Sequence, residues 1–498
     1  MNAVARILDW PAELSDENPS ALWDAVAIAR AVKGTANAEF TVSGVEIDSR
    51  DVQPGDLFFA LKGESMDGHR FVEMAFAKGA AAVVVDRPVD GPHILVKDTT
   101  EALEKLGAAA RQRARGPIIG VTGSVGKTGV KESIFAALDR SSRGDAHRSV
   151  KSYNNHVGVP LSLARMPSRA RFGIFEMGMN HAGEIAALTR QVRPHVAVIT
   201  TIAPAHIEML GSEEAIADAK AEIFQGLEEG GTAVIPADSP HFLRLRNAAV
   251  ACGAKVVSFG KAADADVRLL DTVSAIGGGS LVTVDMGDRR VCYTVAAPGE
   301  HWVMNSLAVM AAVRAVKGDL GAAGVALAEM GGLPGRGARV EIDVPGGEAD
   351  DEGQRKALLI DESYNANPAS MRATLAQLGR TPARRRIAVL GAMKELGSHG
   401  PDYHAALAEP IREAGVDYAV LVGEEMAPLA KVLDEGELGK SEGAKLGKTV
   451  AFAHCGSVGE AVDALRAFGL ERDDAILVKG SNSVGLASLV TALSKQEG

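Results

Sequence analysis

The chain has 498 residues, which at roughly 100–200 residues per domain suggests about three domains. Hydrophobic residues make up 46% and charged residues 23%, which excludes a wholly disordered chain, a collagen and a disulfide-stapled miniprotein. With 53 Lys and Arg against 64 Asp and Glu the net charge is −11, a poor basis for general nucleic-acid binding, though not for a nucleotide held in a locally basic pocket.

The N-terminus MNAVARILDWPAEL has no basic stretch followed by an apolar core, so no signal peptide is expected there. Nor do about 18 uncharged apolar residues run together anywhere, so no membrane span is expected and the protein is assigned to the cytoplasm. The cysteines Cys252, Cys292 and Cys455 are far apart and are expected to be buried small apolar residues. Up to Arg115 the chain alternates short strand-like pieces (42–47, 56–60, 81–85) with a helix near 71–78. The basic stretch Arg111–Arg115, before Gly116-Pro117, reads either as a solvated helix end or as a phosphate contact.

A second block starts with an apolar strand at 118–121 and continues with strands at 172–175, 196–202 and 232–235, separated by amphipathic helices. Short unbroken apolar runs between helices predict a parallel sheet covered on both faces. After Leu333-Pro-Gly-Arg-Gly337 come strands at 357–360, 386–390, 418–422, 450–453 and 475–478, with a charged, glycine-rich loop at 346–355. The expected fold is therefore α/β in three domains. A small N-terminal α/β domain (1–115) precedes a central P-loop parallel-sheet domain (116–335) and a C-terminal Rossmann-like domain (336–498).

The strongest chemical signal is Thr122-Gly-Ser-Val-Gly-Lys-Thr128, between a strand and a helix. Backbone N–H groups of Gly123, Ser124, Val125 and Gly126 would face a polyanion at the helix N-terminus. Lys127 would reach the β- and γ-phosphates and Thr128 would ligate Mg²⁺. The strict GxxxxGK[ST] pattern is missed, because Val121 stands where its first Gly belongs.

Further segments occur in order: Ser152-Tyr-Asn-Asn-His-Val-Gly-Val-Pro160, Phe175-Glu-Met-Gly-Met-Asn180, Ile202-Ala-Pro-Ala-His206, Leu333-Pro-Gly-Arg336, Asp361-Glu-Ser-Tyr-Asn-Ala-Asn-Pro368 and Gly391-Ala-Met-Lys-Glu-Leu-Gly397. Together they resemble the Mur ligases, ATP-dependent amide-forming enzymes of peptidoglycan precursor synthesis, and most of all the branch that joins D-alanyl-D-alanine to UDP-MurNAc-tripeptide. The resemblance spans nearly the whole chain.

It implies ATP and Mg²⁺ as cofactors, UDP-MurNAc-tripeptide and D-alanyl-D-alanine as partners, and an acyl-phosphate intermediate. A monomer is expected. By the same resemblance, Thr128 and Glu176 would hold one Mg²⁺. His206 and Lys220, the latter carbamylated by CO₂, would serve a second. By pattern alone Lys220 is a solvated lysine on a helix. Asn154 and Asn155 would lie near phosphates and substrate carboxylate, or else are ordinary turn asparagines. Asn305 would read adenine, Arg336 would pair with phosphates, Asp361 would accept from the ribose, and Tyr364 and Asn365 would position substrate or nucleotide. Ser49, Arg50, Asp67, Gly68 and His69 match the family's site for the UDP end of the precursor. Asn482 stands where the family motif KGSR has its arginine, which removes a positive charge; Lys479 is the available substitute. Open alternatives are a related ligase adding a single amino acid, and a P-loop ATPase acting as a switch or binding module.

Overall fold

The computed structural model describes residues 21–63, 66–150, 152–204, 207–275, 279–350, 353–438 and 450–495. The chain is a mixed α/β protein that forms two compact units, one made of residues 1–116 and 147–173, the other of 117–146 and 174–498. The first cut falls beside the expected boundary at 115. Residues 147–173, expected in the central domain, cluster with the N-terminal part, and 336–498 clusters with the central part.

In the first unit the strands Gly44–Glu46, Asp56–Phe59, Ala82–Val85 and His93–Leu95 pair in parallel, and Thr35–Ala36 closes the edge antiparallel to the last. The expected single strand at 42–47 is instead two pieces, Thr41–Val42 and Gly44–Glu46. The first of these pairs with Trp23–Asp24 and not with the sheet. Leu57, Phe59, Val84 and Ile94 form the core with Leu103 and Leu106 of the helix Thr99–Arg113.

Side chains of the 147–173 segment explain why it joins this unit. The Trp23 indole N–H donates to the Ala164 carbonyl (2.9 Å), and Arg165 donates to the Val45 carbonyl (2.6 Å) and pairs with Glu46 (2.6 Å). Gly107 lets the long helix come against Pro160, whose carbonyl oxygen would stand 2.8 Å from any Cβ there. The basic stretch is a solvated end only in part: Arg115 is exposed, while its other two arginines are held within the unit. Arg111 is buried, and Arg113 lies 3.5 Å over the Trp23 ring while donating to the carbonyls of Leu22 and Met166.

Within this unit His147 donates from Nε2 to the Ser162 carbonyl (2.8 Å). Burial pushes its pKa from 6.5 down to about 4, helped by Arg165 and Arg148 and opposed by the Ser162 hydrogen bond. The fold thus holds a neutral imidazole, whose contribution is full above pH 6.5 and is lost as the pH falls through about 4. Urea unfolding should therefore show His147→Gln and the wild type converging as the pH drops from 7 to 4.5, the wild type losing more. A difference independent of pH would contradict this.

In the second unit the strands Ile118–Thr122, Val196–Ile199, Thr232–Pro236 and Lys255–Gly260 are parallel neighbours. An antiparallel run of Val267–Ser274, Ser280–Asp285 and Arg290–Val295 extends this sheet. It is missing from the sequence reading, which sought unbroken apolar runs; here buried Val282 and Val284 alternate with more exposed neighbours, a period-2 pattern. A second, six-stranded sheet has Lys356–Glu362, Asp474–Lys479, Arg385–Gly391, Tyr418–Val422 and Ala451–Cys455 in parallel order, edged by antiparallel Ala338–Asp343. Among the described residues no helix is long and apolar enough to cross a membrane. The three cysteines are free; Cys455 is buried, but Cys252 and Cys292 are exposed, since both lie at the sheet and helix periphery and not in its core.

Candidate active site

The strand Ile118–Thr122 is wholly buried and runs into the loop that opens the helix Lys127–Ser142. Its neighbour Val196–Ile199 ends in residues that grip the loop. Thr200 donates from its backbone N–H to the Thr122 carbonyl (3.0 Å) and from Oγ1 to the Val125 carbonyl (2.5 Å). Ser124 donates to the Ala203 carbonyl (2.9 Å) and accepts from the Ala203 N–H (3.0 Å). Only glycine can stand at position 123: φ is +147°, and a Cβ would lie 2.0 Å from Thr200 Oγ1. Gly126 (φ +87°) is pressed against the Asn305 amide, 2.8 Å from the place of its missing Cβ. Thr200 was not anticipated from sequence, although it directly follows an apolar strand.

Lys127, the first helical residue, folds back and donates to the Gly123 carbonyl (2.7 Å). Burial lowers its pKa, Glu176 opposes this, and the nearby Arg336 adds to it. Thr128 donates to a Glu176 carboxylate oxygen (2.8 Å), and both residues are buried. Glu176 ends the buried strand Phe172–Glu176, at the carboxyl edge of the sheet where ligands of parallel sheets bind.

Lys220 corrects the solvated reading: on the helix Glu213–Ala221 it is 2% exposed and lies within reach of the Lys127 charge. Burial, then the neighbouring Lys127 charge, pushes its pKa well below the usual lysine value. The expected metal ligand His206 lies outside the described residues.

On the six-stranded sheet Asp361 ends a run of strand and is nearly buried. One of its carboxylate oxygens accepts from the Gly335 N–H (2.7 Å), the other from the Ser363 N–H (3.1 Å) and hydroxyl (2.6 Å). Beyond the expected ribose contact, it therefore fastens the loop that carries Arg336. Arg336 lies 4.1 Å over the Tyr364 ring, and Tyr364 is otherwise exposed. Asn365 turns its side-chain oxygen to the Ala366 N–H (2.9 Å), while its carbonyl receives the buried Lys479 ammonium (2.9 Å). Lys479 also meets Glu362 (3.4 Å), so its charge is spent inside the protein and does not simply replace the arginine missing at Asn482.

The first unit carries the other candidates. Ser49 is buried and points its hydroxyl at Met74 Sδ (3.4 Å); Arg50 is exposed and pairs with Asp48 (2.6 Å). Gly68 opens a short 3₁₀ turn capped by Asp67, whose carboxylate is held well below the usual range by Arg87 and His69. His69 donates from Nδ1 to Asp67 (2.7 Å) and accepts at Nε2 from the Asp86 N–H (3.1 Å), so both ring nitrogens are engaged. Asn155 spends its side-chain oxygen on the N–H groups of Val157 (3.2 Å) and Gly158 (2.9 Å), the turn alternative for that residue; Asn154 neighbours it in the same loop.

Family models described as Mur ligase middle domain, Mur ligase glutamate ligase domain and Mur ligase family catalytic domain match residues 121–313, 352–482 and 41–94. A UDP-N-acetylmuramoyl-tripeptide–D-alanyl-D-alanine ligase of Synechocystis is 35% identical, with 91% of this chain and 92% of that protein aligned. The chain belongs to the Mur ligase family. The Escherichia coli ligase of the same name is 34% identical over 92% of this chain and 95% of its own. Among solved structures, MurF of Acinetobacter baumannii superposes with a TM-score of 0.79 at 28% identity, covering 96% of this chain and all (100%) of that one. MurF ligase of Thermotoga maritima, solved in complex with ADP, gives 0.71 at 25% identity over 91% and 98%.

Mur ligases use ATP and Mg²⁺. The residues here fit both. At Gly123 and Gly126 the loop admits no side chain, because Thr200 and Asn305 press against it, and Thr122 Oγ1 is buried beside it without a hydrogen-bond partner. Thr128 and Glu176 offer hard oxygen donors of the kind Mg²⁺ takes along with phosphate oxygens and water.

Proposed function

We propose that this Mur ligase joins D-alanyl-D-alanine to the terminal carboxylate of UDP-MurNAc-tripeptide, with ATP converted to ADP and phosphate, in peptidoglycan precursor synthesis. The observation that carries this reading is the gathering of Lys127, Thr128, Glu176 and Lys220 at one end of a parallel sheet, in a chain aligned over nine-tenths of its length with ligases of that activity.

A carboxylate is a poor electrophile, because an attacking amine would have to expel oxide. Attack of a carboxylate oxygen on the γ-phosphorus, with release of ADP, gives an acyl phosphate. The amine of D-alanyl-D-alanine, having lost its extra proton, then adds to the acyl carbon, and phosphate leaves with one of the original carboxylate oxygens. Lys127 and the N–H groups of Gly123, Val125 and Gly126 hold the β- and γ-phosphates, the Ser124 N–H being spent on the Thr201 carbonyl (2.9 Å), and Arg336 adds a cation to the charge developing on the transferred group. Mg²⁺ held by Thr128 and Glu176 would neutralise phosphate charge.

Asn305 reads the adenine edge and Asp361 the ribose. Tyr364 and Asn365 line the approach, and Ser49, Arg50, Asp67, Gly68 and His69 frame the UDP end. Asn154 serves the substrate, as does the side-chain NH₂ of Asn155, whose oxygen is held by its own turn.

Lys220 is the residue we assign to carbamylation. Only a neutral amine attacks CO₂, and burial beside Lys127 favours the neutral form. The carbamate would replace a disfavoured cation with an anion that balances Lys127 and, with His206, can hold a second Mg²⁺. We keep 1–115, 116–335 and 336–498 as the functional domains, and assign a monomer working in the cytoplasm, where ATP is supplied. Mass spectrometry of the product from UDP-MurNAc-tripeptide, ATP and D-alanyl-D-alanine tests the assignment. The dipeptide adduct is expected. Adducts with single amino acids in preference, or ATP turnover without any amide, would overturn it.

A further inference from the structure

The helix Glu300–Ala315 meets the phosphate-loop helix through two matched pairs, three residues apart on each side: Asn305 against Gly126, and Trp302 against Gly129. A Cβ on Gly129 would stand 2.9 and 3.0 Å from the Trp302 six-membered ring. A glycine inside a helix is destabilising relative to alanine, so this one has a packing reason. The same indole extends towards Gly337 (φ +91°), where a Cβ would stand 3.4 Å from Glu362 Oε1, 3.6 Å from Trp302 Nε1 and 3.9 Å from the ring, all ordinary van der Waals distances. Gly337 directly follows Arg336. Trp302 is 8% exposed and thus fills a slot between the helix that begins with Lys127 and the loop that carries Arg336.

We infer that Trp302 is a positioning residue for phosphoryl transfer: its indole acts as a spacer that fixes how far Arg336 stands from the phosphate loop. A flat, rigid ring, tight against Gly129 and in reach of the loop at Gly337, sets that distance more sharply than flexible side chains would, and a small misplacement of a group that stabilises the transferred phosphoryl can cost about 100-fold in rate. This inference rests on the assignment of Lys127 and Arg336 to the phosphates.

The test is a double-mutant cycle on the full chain, with amide formation followed at varied ATP. Trp302→Ala should lower kcat/KM for ATP by about 100-fold and leave KM for the UDP-linked substrate unchanged, with Trp302→Phe recovering much of the loss. Gly129→Ala, which drives a methyl into the ring, should reproduce the defect in a protein whose thermal unfolding stays cooperative. In an Arg336→Ala background the further Trp302→Ala change should have little effect, since the group it positions is gone. Full additivity of the two losses would overturn the inference, as would equal damage to KM for both substrates. If Arg336→Ala alone left activity intact, the phosphate assignment of Arg336 would fall instead, a separate and distinguishable result.

Discussion

Lys127→Ala is expected to abolish ATP turnover and amide formation together, with losses of roughly 10³-fold or more, the scale seen when a cation facing a transferred phosphoryl group is removed. Lys127 leads the helix after the loop, and its ammonium rests on the Gly123 carbonyl (2.7 Å). That bond is local and replaceable, so the fold should survive the substitution. The charge proposed to face the β- and γ-phosphates has no replacement in the loop, whose other donors are neutral N–H groups. Burial already lowers the lysine pKa, and a bound polyphosphate would restore it, so proton and ligand binding are coupled. Calorimetric titration with ATP, alongside circular dichroism, separates loss of binding from loss of fold. Near-normal amide formation would remove Lys127 from the phosphate site.

Lys220→Ala should be nearly as damaging, by about 10²–10³-fold, and unlike Lys127→Ala it should be partly rescued by small carboxylates such as formate or acetate. A buried lysine beside another lysine is costly as a cation; as a carbamate it becomes the local anion. The wild type should also lose activity when CO₂ is stripped from the buffer and recover it with bicarbonate. Full activity of Lys220→Ala without additives, or indifference to CO₂, would contradict the carbamate while leaving the phosphate loop untouched.

The phosphate loop was legible in the sequence because its chemistry is local. Glycines, lysine and threonine within seven residues, between a strand and a helix, dictate both the backbone shape and the charge. The parallel strands were legible for a related reason, since a strand buried on both faces needs an unbroken apolar run. The edge hairpins were not seen because one of their faces is exposed.

Burial of a single polar side chain is decided by elements distant in sequence. Helical spacing put Lys220 on a polar face, and only the folded chain buries it beside Lys127. Arg113 finds Trp23, some ninety positions away, and no local pattern reports that. Asp361 and Asn155 illustrate a different limit. A motif names a residue but not how many of its lone pairs the backbone already uses, and both spend oxygens on neighbouring N–H groups. Gly129 carried no signal of its own until the Trp302 ring against it was in place.

The central claim is that the acid is activated by phosphorylation before nitrogen attacks. UDP-MurNAc-tripeptide labelled with ¹⁸O in its terminal carboxylate, turned over with ATP and D-alanyl-D-alanine, tests this directly by mass spectrometry of the released phosphate. One labelled oxygen per phosphate is the predicted result. Phosphate free of label, with amide still forming, would contradict the acyl-phosphate route.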